Sequence, residues 1–209
     1  MIWFNSKYCE VNMYTWGYIK DVSLAKLDLT EKEANVQNLL SRFPFYANEA
    51  MTQICSTVKP KRTFFEIEIT EDDINVPLQI GDTDFIAFDD DIATITYADK
   101  YGRTVTEEAH DDYFIYRGYN QAVFFKVGRY VIPISVRWIT FRKDMDDNEM
   151  LNVPNDILDC IPSYIASQCY KIDDEVKSSI FRNEYEMAMA RIDNTNYKST
   201  KTIKIGGDW

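Results

Sequence analysis

The apolar residues of this chain change their spacing at Thr63. Upstream they recur every three or four positions, as one face of a helix requires. In "TFFEIEI" they alternate instead, with Phe65, Ile67 and Ile69 set against Phe64, Glu66 and Glu68. Helical spacing returns after "MDDNEMLNVPND". A segment patterned for one period cannot bury its apolar side in the other kind of element. The order is therefore helix, β, helix, and the expected class is α+β: a helical bundle formed by N- and C-terminal helices, with an inserted antiparallel β sandwich or barrel module.

In the first helical block, Thr30 and Glu33 form a capping-box pattern ahead of Val36, Leu39, Leu40 and Phe43. Pro44 lacks a backbone donor, so the helix is expected to end or kink there before resuming through Ala47, Met51, Ile54 and Val58. In the β block, "TDFIAF", "IATITYA", "TVTEEA", "DYFIYRG", "AVFFKV" and "YVIPISVRWITF" follow one another as short strands. Gly102 supplies one turn and Gly128-Arg129 a second, while Pro133 is expected at an edge or bulge. In the last block, Leu158, Ile161, Ile165 and Cys169 share a face, and Asp173 can cap the final helix. That helix carries two apolar rows: Val176, Ile180 and Met187, and Phe181, Tyr185, Ala188 and Ile192. Two rows suit contact with more than one neighbour, and burial in a single bundle explains them too. The expected organisation is an aromatic arm and helices over 1–62, an acidic β module over 63–143, C-terminal helices over 144–192 and an arm over 193–209.

Charge is segregated along the chain. The net charge is −11, and residues 71–112 hold 13 Asp and Glu against Lys100 and Arg103 alone, so that segment accounts for all of it. Such a surface repels nucleic acid. No stretch reaches the ~20 apolar residues of a membrane helix. The N-terminus lacks a cationic lead and an apolar block, so a secretory signal is not expected, and the protein is read as made in cytoplasm. Cys9, Cys55, Cys160 and Cys169 are scattered and form no C-x-x-C pair, which argues against a zinc site or a disulfide framework.

Chemistry is hard to find. His110 is the single histidine, and no G-x-S-x-G elbow accompanies it. Glu107, Glu108, Asp111 and Asp112 could furnish paired carboxylates for hydrolysis, but a dense acidic cluster is usually a solvated loop. Asp89, Asp90 and Asp91 could contribute to a hard-cation site, without the Gly-containing loop such sites use. The expectation is no catalytic residue, no cofactor and no metal. Aromatic residues are abundant, at 14%, and Trp3, Phe4, Tyr8, Tyr14, Trp16 and Tyr18 crowd the N-terminus as an interface arm or a cover over the protein's own core. In the tail, Tyr197, Lys198, Lys201, Lys204 and Ile205 lie in an alternating stretch that suits addition to another chain's sheet edge, with Trp209 as an anchor.

The segment "NVPNDILDCIPSYIASQCYKIDDEVKSSIFRNEYEMAMARID" resembles the C-terminal helices of the head–tail connection proteins of tailed bacteriophages, the adaptor or neck proteins beneath the portal. Pro154, Asp156, Ile157, Ile161, Pro162, Tyr164, Ile165, Ala166 and Ser167 match one part of that pattern. Asp173, Asp174, Arg182, Asn183, Glu184, Glu186, Arg191 and Ile192 match the rest. "YANEAMTQICSTVKPKRTF" is similar to the first helix of the same group, and the acidic β region departs from it. The resemblance implies a homo-oligomeric ring, commonly dodecameric, located in the virion. It would bind the portal protein and tail or collar proteins, let DNA pass non-specifically, and contact no membrane. Ile180, Phe181, Tyr185 and Met187 would form the ring interface and the tail would grip a neighbour. A reading from another class is a virion-associated carbohydrate- or ligand-binding β module on a helical stalk, using exposed tryptophans or tyrosines of the β region, with Trp138 or Phe141, expected inside a strand, as candidates only if they face solvent.

Overall fold

The computed structural model describes residues 14–30, 36–81, 84–89 and 91–196, with side chains as far as Ile192. It is an α+β protein of six helices and eight strands among the described residues. The chain divides into two compact units, one of residues 1–50 and 141–209 and the other of residues 51–140. Cys9, Trp3, Phe4, Tyr8, Glu33 and the tail residues Tyr197 to Trp209 lie outside the described residues.

In the first unit, helix α1 (Trp16–Lys26) starts where the Thr15 side chain accepts from the Tyr18 N–H at 3.1 Å. The C-terminal part of the expected aromatic arm is thus the cap and first turn of a helix. Trp16 is buried 5.0 Å from the Phe141 ring, and Tyr14 and Tyr18 meet edge to face. Gly17 is required here, because its N–H donates to the Asp147 carbonyl at 2.8 Å and a Cβ would collide with that oxygen. Helices α2 (Val36–Leu40) and α3 (Phe43–Thr57) are separated at Ser41-Arg42, two residues before the expected break. Pro44 instead occupies the first turn of α3, where its missing donor would have had no partner.

The C-terminal block forms α4 (Asn155–Leu158), α5 (Ile161–Tyr170) and α6 (Glu175–Asn196). Pro162 opens α5, so what reads as one helical face is divided at Asp159-Cys160. Residues 161–167 are all buried, which makes α5 the interior helix of the unit, packed against α1, α4 and α6. The cap of α6 is Asp174, one residue later than expected: its carboxylate accepts from the Lys177 N–H at 3.0 Å. Only that position puts the carboxylate opposite the third free N–H of the helix.

The second unit holds eight strands in two antiparallel sheets. Strands β1 (Lys61–Ile69), β8 (Gly128–Val136), β4 (Thr94–Ala98) and β5 (Thr104–Glu108) pair in that order, and β3 (Phe85–Phe88) also pairs with β8. Strands β2 (Pro77–Gln79), β7 (Gln121–Phe124) and β6 (Phe114–Arg117) form the other sheet. Phe64 is exposed and Ile69 buried, as the alternation in β1 predicts. Residues of both sheets, including Phe85, Ile95, Phe114, Phe124, Tyr130 and Ile132, share one apolar core. Gly128 and Arg129 do not form a tight turn; they begin β8, because the chain changes sheet between β7 and β8. Pro133 lies in this central strand and not at an edge. Its carbonyl accepts from the Asp89 N–H at 3.1 Å, so its missing donor faces the same side. There β3 pairs only as far down as Ile134 and β4 only up to Val131, and the ladder has a gap in which no donor is needed.

Candidate functional site

Two surfaces collect the residues the sequence singled out, one in each unit. The first is α6. Tyr185 is 0% exposed, its ring 4.9 Å from that of Tyr164 and its hydroxyl 3.3 Å from the Ala50 carbonyl, so it is a core residue and cannot contribute to an interface. Phe181 is half-buried and stacks on Tyr170 at 5.8 Å, with the Lys26 ammonium 5.2 Å from its ring. Ile180 and Met187 are different: they are 51% and 61% exposed. With Val176, Asn183 and Ala190, all exposed, they follow a four-three-four-three spacing down the side opposite Tyr185. That is the spacing of a helix seam that packs on another helix, and Asn183 sits within it as polar residues do where register is specified. Leu, Val and Ile are no guide to burial by type alone, and Val176 at 71% exposed was missed as a site residue although its spacing from Ile180 was legible.

The residues of the "RNEYE" stretch have packing roles. The Arg182 guanidinium covers the rings of Tyr164 and Tyr185 at 5.5 and 5.2 Å and pairs with Glu186 at 2.8 Å. Glu184 accepts from Lys26 of α1 at 2.7 Å and from Ser163 of α5 at 3.2 Å, joining three helices. Burial pushes the thiols of Cys160 and Cys169 up to about 12, which disfavours the thiolate.

The second surface is a cleft of about 580 Å3 in the β unit, at the end of the β4–β5 ribbon where β4 begins and β5 ends. Asp89, Asp91, Glu108, His110, Asp111 and Asp112 line it, and Ile92 and Tyr116 give it an apolar wall. Asp89 and Asp91 do not await a cation: the Arg62 guanidinium lies 3.1 Å from one carboxylate and 3.7 Å from the other, and Ser135 donates to Asp89 at 3.2 Å. Asp90 lies outside the described residues, and among those described no three His, Cys, Asp or Glu side chains converge as a metal set. Among the described residues no cation pairs with Glu108, Asp111 or Asp112.

Glu107 and Glu108 are neighbours on a strand and therefore face opposite ways. Glu107 accepts from the Tyr113 hydroxyl at 2.8 Å, with Lys126 3.4 Å away. Those hydrogen bonds, from Tyr113 first and then from Tyr97 and Lys126, hold its pKa below the usual carboxylate range, the reverse of what a general acid needs. The Lys126 ammonium sits 3.3 Å from the Tyr97 ring centroid and 4.0 Å from that of Tyr113, which completes a structural cluster. Trp138 and Phe141 offer no exposed sugar platform: neither lies in a strand, Trp138 donates to the Lys59 carbonyl at 2.9 Å, and Phe141 is buried.

At the far end of the same ribbon the β4–β5 hairpin presents Tyr101, 69% exposed, with the Lys100 ammonium 5.0 Å and the Arg103 guanidinium 5.1 Å from its ring. Asp99 fixes the turn, accepting from the N–H groups of Tyr101 and Arg103 at 2.8 and 2.9 Å and pairing with the Arg103 side chain at 2.8 Å. The backbone bond from Arg103 leads the forces that keep the Asp99 pKa low. Gly102 takes the left-handed conformation, φ 74°, that this turn needs. Sequence reading marked the turn but not the aromatic at its tip.

Among the described residues no helix is long and apolar enough to cross a membrane. No protein-family model matches this sequence, and no curated protein matches it either.

Proposed function

We propose that this protein is a structural component of the head–tail connector of a tailed bacteriophage, an adaptor or neck subunit that assembles into a ring, docks to the portal and continues the DNA channel towards the tail. In this reading the N- and C-terminal helices form a bundle and residues 51–140 form a sandwich-like module inserted in it. The observation that carries the reading is α6. It lies within the segment that resembles connector proteins, and it is apolar on two opposite sides, one filled by its own unit and one left open. Fully burying a Val, Ile or Met side chain is worth about 1.5–3 kcal/mol, so an open row of Val176, Ile180 and Met187 is a substantial incentive for helix-on-helix contact between copies. The acidic module would fringe a channel through which DNA slides without adhering.

Native mass measurement of the protein alone and mixed with a portal protein tests this. A closed ring, or a defined complex with the portal, is expected, and Ile180→Glu combined with Met187→Glu should abolish it while leaving the fold intact. A strict monomer with no affinity for the portal overturns the reading. Deleting residues 197–209, which spares the last turn of α6, tests the grip of the arm: assembly unchanged without Lys198, Lys201, Lys204 and Trp209 would remove the arm from the scheme.

A second reading, a ligand- or carbohydrate-binding β module, draws on the cleft, where carboxylates that can accept sugar hydroxyls face the half-exposed Tyr116 ring. Calorimetric titration with a sugar panel, with Tyr116→Ala as control, decides it.

A further inference from the structure

The β4–β5 ribbon carries opposite chemistry at its two ends. One end is the acidic cleft, whose carboxylates outnumber the single Arg62 that pairs with two of them. The other is the hairpin tip, where Lys100 and Arg103, the only Lys or Arg between positions 71 and 112, flank the exposed Tyr101 ring, and with Arg103 paired to Asp99 the tip is left with the positive charge of Lys100. We propose that the hairpin tip of one copy docks in the acidic cleft of a second copy, bringing Tyr101 against the Ile92 and Tyr116 wall and Lys100 among Glu108, Asp111 and Asp112.

Neither surface would carry this alone, since an acidic cleft is ordinarily a solvated one; the occupant is identified by the tip. Tip and cleft are complementary in charge, and the carboxylates of Glu108, Asp111 and Asp112 have no cation of their own among the described residues. The cleft is open to solvent and offers about 580 Å3, room for an aromatic side chain and an ammonium. The Asp99 bracket holds the tip in one conformation before contact, so little ordering is lost on docking. Within one copy the two surfaces cannot meet, because five-residue strands separate them by roughly 15 Å. Each copy can therefore give its tip to one neighbour and its cleft to another, a head-to-tail contact of the kind that closes into rings.

A hairpin tip covers little area, so one such contact is weak and salt-sensitive; its effect is on register and partner choice, multiplied when other contacts hold the copies together. The inference goes beyond the connector reading and does not require a portal.

The test is sedimentation and native mass measurement of the full chain across protein concentration, at low and high salt. Self-association at low salt that weakens at high salt is expected. Tyr101→Ala and Lys100→Glu, both of which leave the Asp99 bracket intact, should weaken it by about tenfold or more, as should Glu108→Lys combined with Asp111→Lys. Mixing the Lys100→Glu protein with the cleft double variant should restore it in part, because the natural tip of the cleft variant then meets an intact acidic cleft and the reversed tip meets a cleft that is no longer acidic. Circular dichroism of each variant confirms folding. A wild-type monomer at every concentration, association untouched by the tip variants, or mixing without rescue overturns the proposal. So does loss of association on deleting residues 197–209 with the tip variants silent, which would assign the cleft to the lysine-bearing tail. Self-association unchanged in the tip variants, together with portal binding that fails in Ile180→Glu with Met187→Glu, would break this inference and leave the connector reading standing.

Discussion

The two units leave different things on their surfaces. In the helical unit α5 is buried over residues 161–167 while α6, packed against it, keeps an apolar row open to solvent. In the β unit the apolar residues of both sheets converge on one core, and the ends of the β4–β5 ribbon carry charge and fixed turns. The exposed row of the helical unit suits contact driven by burial, which salt does not screen, and the charged ribbon ends of the β unit suit contact driven by charge, which is specific and screened. Under the proposed ring assembly, a subunit that closes in one register gains from having both.

The largest effect expected from breaking this contrast is on α6 itself. Tyr185→Ala removes a fully buried ring and should lower the unfolding free energy by about 3–5 kcal/mol. Met187→Ser, two residues on and facing outward, should change it by no more than about 0.5 kcal/mol. Urea denaturation of the two variants measures the pair; equal losses would mean that α6 has no open side.

Gly81→Ala probes the tightness of the β core. Gly81 has φ 93°, and a Cβ there would lie 2.4 Å from the Phe85 ring, so a loss of about 1–3 kcal/mol is expected in the same assay. Asp174→Ala removes the α6 cap and should cost about 1 kcal/mol, with Asp174→Asn restoring most of it. If the Asn variant failed to restore it, the carboxylate would be acting through charge at the helix end and not as a hydrogen-bond acceptor.

The smallest effect concerns the charged network of the β unit. Hydrogen bonds, from Tyr113 to Glu107 and from the Arg103 backbone to Asp99, lower both carboxylate pKa values. A lowered folded value means that the group stabilises the fold above its unfolded pKa, near 4, and that this stabilisation is lost as pH falls through the folded value. Melting temperature measured from pH 7 down to about 2 should fall less steeply for Glu107→Gln than for the natural protein, with the two curves meeting at the acid end. Parallel curves throughout would show that Glu107 does not contribute through its ionised form.

Local patterns were legible to the extent that they depend on near neighbours. The alternation of β1 predicted which side is buried and the turn at Gly102 was placed correctly, whereas the break before α5, where one continuous helical face was expected, was not. Where the expectation slipped, tertiary context decided. Pro44 looked like a helix terminator and serves as a helix start; Pro133 looked like an edge residue and lies in the central strand beside a gap that no local pattern announces. The two apolar rows of α6 were legible in the spacing, and only packing against α5 showed that Tyr185 faces in and Met187 out.

The sequence by itself determined the α+β class, the order of helical and β segments, and the concentration of all net charge in the β region, because these follow from periodicity and composition. Only the tertiary structure decided which apolar row is core, which carboxylates are neutralised by partners, and that one ribbon ends in a cleft and a cationic tip. Those depend on contacts between residues far apart in the chain, such as Arg62 with Asp89 and Tyr164 with Tyr185, and periodicity carries no information about them.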